Sequence, residues 1–228
     1  MGLRQLIICL GDQLNADAAV FDNFDPQRDA VWMAEGRHEA THVWSHKARI
    51  ALFLSAMRHF AQRLEASGTK VHYRSLETND QDTLEGALAA DLAALEPDYI
   101  LVTHPGEHRV LEQLRTAARQ FGQRLVVVRD RAFFDAPEHF RVWARGRKEL
   151  RLETYYRALR RDYNILMDGN EPAGGAWNYD QSNRQNFGRA GPGWMPPPRE
   201  FEPDATTSAV LASVAEQYPD HPGRLDTF

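Results

Sequence analysis

The stretch that decides the fold is Gln5-Leu6-Ile7-Ile8-Cys9-Leu10, which leads at once into Gly11-Asp12-Gln13-Leu14-Asn15. A short apolar run that ends in glycine and polar residues is typical of a buried strand that opens onto a loop. Similar short runs follow at 30–35, 70–75, 98–103 and 124–129. Because segments of helical length separate most of these runs, they predict a five-stranded parallel sheet covered on both faces. The fold class expected is a Rossmann-like three-layer α/β/α domain.

The clearest of the intervening helices runs from about Ser45 to Ala66. Its apolar residues recur at three- and four-residue spacing, as one buried face of a helix requires: Ile50, Phe53, Leu54, Met57, Phe60, Ala61 and Leu64. Gly68 stands where a helix stop is expected. This apolar stripe is predicted to be core.

Composition narrows the class of protein. At 228 residues and 43% hydrophobic content, the chain can form one α/β domain with an appended segment. No apolar run approaches the ~20 residues of a membrane span, and the start leads straight into a strand rather than a signal peptide, so a cytoplasmic protein without membrane contact is expected. Cys9 is the only cysteine, which excludes an internal disulfide or a cysteine-ligated zinc or iron–sulfur site within one chain.

The residues after the predicted strands are unusually polar. They are Gly11 to Asn15 after the first strand, Glu35 to Glu39 after the second and His104 to Arg109 after the fourth. Ligands of open α/β sheets bind beyond the carboxyl ends of the strands, so these loops favour a binding site. The alternative, in which the glycines make turns and Asp12 or Asn15 caps a helix, stays open. Neither GxxxxGK[ST] nor GxGxxG follows a strand, so a phosphate cradle of either type is not predicted.

Metal and catalytic sites are not predicted. His38, His42 and His46 repeat every four residues, and so do His104 and His108, but no carboxylate accompanies them at a recognised metal-protease spacing. A nucleophile elbow is also missing from the sequence. We therefore expect no metal ligand and no catalytic residue in this chain.

The character of the sequence changes near residue 135, which predicts one domain over 1–135 and a second segment over 136–228. Residues 141–161 carry eight basic and two acidic side chains, whereas the whole chain has a net charge of −5. Two interpretations stay open: a nucleic-acid surface that uses Arg157, Arg160 and Arg161, or a solvated amphipathic helix. A Gly/Pro-rich stretch follows at 168–200, and a last helix is predicted from Thr206 or Thr207 to Tyr218.

Four separated motifs carry a family resemblance. They are Leu10 to Leu14, Phe53 to Phe60, Arg151 to Arg161, and Gly174 to Asp180 followed by Asn183-Arg184. Together, and in this order, they resemble the deoxyribodipyrimidine photolyase-related proteins, which are iron–sulfur bacterial cryptochromes and photolyases. The resemblance covers essentially all of the chain.

This resemblance implies a function. In the family the N-terminal α/β domain binds an antenna chromophore, a ribityllumazine, which points here to 6,7-dimethyl-8-ribityllumazine. FAD, a 4Fe-4S cluster and photodamaged DNA are bound by a C-terminal helical domain that is not in these 228 residues. The chain is therefore expected to be the front part of a DNA repair or photoreceptor protein, without catalysis of its own. DNA contact is expected only through the full-length protein, and self-association through the face left exposed.

Loop position and resemblance together give a set of candidate chromophore-binding residues: Gly11, Asp12, Gln13, Leu14, Glu35, His42, Lys47, Ile50 and Arg109. Asp12, Gln13 and Glu35 offer partners for ring amide groups and ribityl hydroxyls. Ile50 is expected to pack on the ring face, and Lys47, His42 or Arg109 to complete the polar end.

Two other functions stay open. A stand-alone nucleotide-binding α/β protein would bind adenine nucleotides and carry no near-ultraviolet chromophore. A nucleic-acid or partner-binding module that uses the basic face of 141–161 would bind in a manner that weakens steeply with salt.

Overall fold

A computed structural model describes residues 2–184, 186–226 and 228, without the side chains of residues 181 and 182. Five parallel strands form its main sheet: β1 Gln5–Ile8, β2 Asp29–Ala34, β3 Val71–Arg74, β4 Tyr99–Thr103 and β5 Leu125–Val128. Their order is β3-β2-β1-β4-β5, so β2 and β3 are added on one side of β1, and β4 and β5 on the other. The predicted Rossmann-like α/β fold with a five-stranded parallel sheet is confirmed.

Seven α-helices accompany the strands in the described residues. They are α1 Arg37–Thr41, α2 Lys47–Ala66, α3 Leu84–Leu95, α4 His108–Gln120, α5 Pro137–Ala144, α6 Leu152–Asp162 and α7 Ala205–Gln217. A two-residue antiparallel ladder joins β6 Met167–Asp168 to β7 Glu171–Pro172. The chain divides into two compact units, one made of residues up to Ala132 together with Glu202–Phe228, the other of Phe133–Phe201.

The first unit has a core on each face of its sheet. Strand side chains alternate between the two faces, so Ile7 and Val31 join one core while Leu6 and Trp32 join the other. The first core packs the sheet against α2 and α7, and the second packs it against α3 and α4. This arrangement leaves the carboxyl ends of β1, β2 and β4 open between the two helical layers.

Helix α7 belongs with the sheet rather than with the segment that precedes it. Val210 and Val214 are fully buried in the same core as α2. Asp204 accepts a hydrogen bond from the backbone N–H of Thr207 at 2.8 Å, which caps the helix, and its other oxygen lies 2.6 Å from Nε2 of His59. The predicted division into 1–135 and 136–228 stays a prediction. The two compact units group residues 202–228 with the first unit.

Truncating the buried face of α7 should destabilise the first unit. Val214→Ala removes two methyl groups from a fully buried position, and the expected loss is about 2 kcal/mol of unfolding free energy in urea denaturation. Glu216→Ala, on the exposed side of the same helix, is the matched control and should change stability by less than about 0.5 kcal/mol. Equal effects of the two changes would contradict the packing described for α7.

Candidate binding cavity at the strand ends

A cavity of about 270 Å³ lies at the carboxyl ends of β1, β2 and β4 in the first unit. Its walls come from the loops after these strands, from α1 and α2, and from the end of α7. The lining residues are Cys9, Leu10, Gly11, Asp12, Ala34, Glu35, Gly36, Glu39, Ala40, Ser45, Arg49, Ile50, Phe53, Leu54, Met57, Leu84, Pro105, Gly106, Glu107, Val110 and Tyr218. This is the position in which open α/β sheets bind ligands.

One wall of the cavity is apolar and comes mainly from α2. Ile50, Phe53 and Met57 are spaced so that they share one helical face, and each lines the cavity. Gly11 allows this wall to approach β1, because a Cβ at this position would lie 2.8 Å from Sδ of Met57. Close packing against Met57 therefore explains why glycine is required at position 11. The wall itself presents an apolar surface to the cavity.

Three carboxylates that lie near one another also belong to the lining. Asp12, Glu39 and Glu107 all line the cavity, and Arg109 ties the last two together with distances of 2.8 Å to Glu39 and 3.0 Å to Glu107. This ion pair lowers the pKa of Glu39. Partial burial raises the pKa of Asp12, and the nearby charges of Glu107, Asp130 and Glu39 add to that rise. The cavity thus has an acidic end with one guanidinium behind it.

Glu35 is also in the lining, but its carboxylate is already fully engaged. The side chain is completely buried and accepts hydrogen bonds from Nε and Nη2 of Arg58 at 2.8 and 2.9 Å, from the Tyr73 hydroxyl at 2.6 Å and from the Leu76 N–H at 2.7 Å. Its backbone carbonyl accepts from Asn79 at 2.8 Å. These contacts fasten the end of β2 to β3 and α2, and no lone pair of the carboxylate is left over for a ligand.

Five other predicted residues lie outside the cavity lining: Gln13, Leu14, His42, Lys47 and Arg109. Gln13 donates from Nε2 to the carbonyls of His104 and Thr103 at 3.0 and 3.3 Å, which joins the first loop to the end of β4. Lys47 donates from Nζ to the carbonyl of Pro219 at 2.7 Å. Leu14 packs against the core beside α2, and the exposed His42 has its ring centroid 5.3 Å from that of His38. Arg109 likewise reaches the cavity only through the two glutamates that it binds.

The cavity therefore contains Gly11, Asp12, Glu35 and Ile50 of the predicted set, together with residues that the sequence did not single out. Glu39 and Glu107 lay in the polar loops already noted, and Phe53 and Met57 in the apolar stripe of α2. Tyr218 is different, since α7 delivers it from the far end of the chain and no local pattern marks it. Burial raises its pKa to about 12.

The three arginines proposed for nucleic-acid contact lie in the second unit, around one indole. The guanidinium carbons of Arg157, Arg160 and Arg161 are 5.3, 5.2 and 4.7 Å from the ring centroid of Trp177. Arg160 is only 6% exposed and donates to the carbonyls of Ile165, Leu166 and Trp177, so it holds the turn after α6. Arg157 pairs with Glu153 at 2.8 Å, while Arg161 lies exposed on the surface.

The thiol of Cys9 lines the cavity and should be unreactive in the folded protein. Burial raises the pKa of Cys9 to about 12, and Sγ lies 3.5 Å from the carbonyl of Gln13. We expect Ellman's reagent at pH 8 to label the native chain at least about 100-fold more slowly than the chain in guanidinium chloride, because the thiolate is the reacting form. Fast labelling of the native protein would mean that the Cys9 thiol is accessible to water and not buried.

Within the described residues, no three His, Cys, Asp or Glu side chains are grouped so that they could hold a metal ion. None of the described helices is both long enough and apolar enough to cross a membrane.

The fold is an α/β domain of the doubly wound class, and its cavity lies at the topological switch point of the sheet. The profile of the family described as deoxyribodipyrimidine photo-lyase-related protein matches residues 7–228. The chain is also 38% identical over 228 residues to a protein named (6-4) photolyase from Agrobacterium fabrum (strain C58 / ATCC 33970), an alignment that covers 99% of this chain and 44% of that protein. The chain belongs to the deoxyribodipyrimidine photo-lyase-related protein family, which confirms the resemblance inferred from the four motifs. It spans less than half the length of this relative.

Proposed function

We propose that the first unit is a light-harvesting domain that binds a ribityllumazine, namely 6,7-dimethyl-8-ribityllumazine, in the cavity at the strand ends. The proposal is supported above all by the mixed lining, which combines apolar residues of α2 with the carboxylates of Asp12, Glu39 and Glu107. A planar heterocycle with a polyol side chain needs both surfaces, one for its ring and one for its hydroxyls.

The residues that would hold the chromophore follow from the lining. Ile50, Phe53 and Met57 supply a ring-sized apolar surface, and the polarisable sulfur of methionine packs well against a conjugated ring. Asp12 and Glu107 would accept hydrogen bonds from ribityl hydroxyls. The bound chromophore would absorb near-ultraviolet light and pass the excitation on through space. The protein then contributes placement and exclusion of water, and none of its residues need exchange a proton.

The cavity is small for larger cofactors of the family. At about 270 Å³ it lies at the lower limit of ligand pockets, which suits a bicyclic ring better than a dinucleotide such as FAD. A four-cysteine 4Fe-4S cluster does not fit this chain, since Cys9 is its only cysteine. We propose that FAD, the cluster and damaged DNA are bound by other parts of a longer photolyase or cryptochrome. Cytoplasmic localisation and self-association stay predictions.

The test is a titration of the purified chain with 6,7-dimethyl-8-ribityllumazine, followed by absorption and fluorescence, with FAD and ATP titrated in parallel. The proposal predicts saturable binding of the lumazine with one equivalent per chain and much weaker binding of FAD and ATP. Saturable ATP binding without lumazine uptake would instead support the stand-alone nucleotide-binding protein. Binding to DNA that weakens steeply with salt, whatever small ligand is present, would support the nucleic-acid module.

A further inference from the structure

Carboxylates line this cavity where a doubly wound fold usually holds a phosphate. In such folds a phosphate is held by the loop after the first strand and by the N-termini of the helices that follow the strands. Here Asp12 lies in the loop after β1, Glu39 lies in α1 after β2, and Glu107 is the N-cap residue directly before α4. All three line the cavity.

These negative charges are only partly balanced. Arg109 is shared between Glu39 and Glu107, so one guanidinium compensates for two carboxylates. Asp12 receives no hydrogen bond from a side chain in the described part of the chain, and it lies close enough to the two glutamates for their charges to act on it. Glu35 is neutralised by Arg58.

A single basic side chain, Arg49, lines the cavity among the described residues. Its guanidinium carbon lies 5.6 Å from the centroid of the Phe53 ring, on the α2 side and thus among the apolar wall residues. The end of the cavity that faces the loops therefore presents an excess of negative charge. A phosphate placed there would be repelled, whereas a hydroxyl would donate a hydrogen bond to a carboxylate.

We propose that this cavity selects ligands whose side chain ends in hydroxyl groups and rejects the same ligands when they carry a terminal phosphate. Asp12, Glu39 and Glu107 are the residues that determine this specificity. The inference rests on the proposed function, and it specifies the chemical class of the ligand: an unphosphorylated polyol on a planar ring rather than a nucleotide or a ribityl phosphate.

The matched probes are 6,7-dimethyl-8-ribityllumazine and its 5′-phosphate ester, which share one ring and one absorption band. Dissociation constants for both are measured by fluorescence titration at low salt. We expect the unphosphorylated form to bind at least about 10-fold more tightly, the effect of one or two like charges near a half-solvated phosphate. Raising the salt concentration should reduce this ratio, because partly exposed charges are screened.

Three variants show whether the carboxylates cause the preference. Asp12→Asn and Glu107→Gln keep the size of each side chain and should each lower the ratio by improving the affinity for the phosphate ester. Glu65→Gln, an exposed change near the other end of α2, should leave the ratio unchanged. Thermal unfolding of each variant establishes that it is folded.

The outcomes separate the two proposals. Equal or tighter binding of the phosphate ester overturns the specificity while the lumazine site stands. A ratio that does not change in the Asp12→Asn, Glu107→Gln double variant also overturns the role given to these carboxylates. Failure of both forms to bind overturns the proposed function, and this inference falls with it.

Discussion

Glu35→Ala is expected to lower the free energy of unfolding by about 3–5 kcal/mol, the cost of leaving a buried charge without its partner. The carboxylate is completely buried and accepts four hydrogen bonds, from Arg58, Tyr73 and the Leu76 N–H. Alanine would leave the Tyr73 hydroxyl, the Leu76 N–H and Nε of Arg58 without this acceptor, and Arg58 would keep only its ion pair with the half-exposed Glu77. Because small domains have only about 5–15 kcal/mol of stability, the loss should be plain in urea denaturation.

Glu77→Ala is the matched control for this change. Glu77 binds the same guanidinium at 2.9 Å, but its side chain is about half exposed, so its removal should cost no more than about 1 kcal/mol. Tyr73→Phe deletes one donor and leaves the ion pair, and an intermediate loss of about 1–2 kcal/mol is expected. A Glu35→Ala variant as stable as Glu77→Ala would contradict the role of Glu35 as the buried anchor of β2.

Gly106→Leu is expected to weaken lumazine binding at least about 100-fold, which corresponds to the loss of nearly 3 kcal/mol of binding free energy. Gly106 lines the cavity, and the nearest atom to a Cβ built there is Oδ2 of Asp12 at 3.9 Å. Its backbone is not in the left-handed region, so leucine can be accommodated without strain. The added side chain would occupy space that the ribityl chain requires beside Asp12 and Glu107, while the core remains untouched.

Ala90→Leu serves as the control for this second change. It introduces the same leucine side chain at an exposed position of α3, away from the cavity, and should alter neither binding nor stability. If Gly106→Leu binds lumazine as tightly as the unchanged protein, the chromophore does not occupy this cavity.

Much of the fold could be predicted because it depends on local patterns. The five apolar runs coincide with the five strands to within a few residues at their ends. Cys9 and Leu10 were predicted as strand and lie beyond β1, yet both are buried, since burial continues past the last ladder hydrogen bond. The apolar stripe of α2 was predicted to be core, and six of its seven residues are buried. The exception is Phe53, which is 39% exposed and lines the cavity.

The site was harder to predict because its contacts join distant parts of the chain. The loop after β1 marked Gly11 and Asp12 as candidates, and both line the cavity. Nothing near Glu35 in the sequence shows that Arg58 and Tyr73 saturate its carboxylate. Tyr218 reaches the cavity only because α7 docks on α2.

The contacts of the basic segment were also not visible in the sequence. Charge counting treats every arginine of 141–161 alike, but Arg160 is buried beneath Trp177. It is held there because Asn164 and Leu166 adopt positive φ angles of 51° and 52°, in a turn whose carbonyls at Ile165 and Leu166 accept its hydrogen bonds. The distribution of charged residues does not predict that turn.

Binding of the chromophore in the strand-end cavity would be visible in ¹H–¹⁵N correlation spectra of the ¹⁵N-labelled chain during titration with 6,7-dimethyl-8-ribityllumazine. We predict the largest shifts at the backbone amides of Gly11, Gly36 and Gly106, which line the cavity on three separate loops. Shifts confined to residues 133–201, or spectra that do not change at saturating lumazine, would mean that the lumazine does not bind in the strand-end cavity.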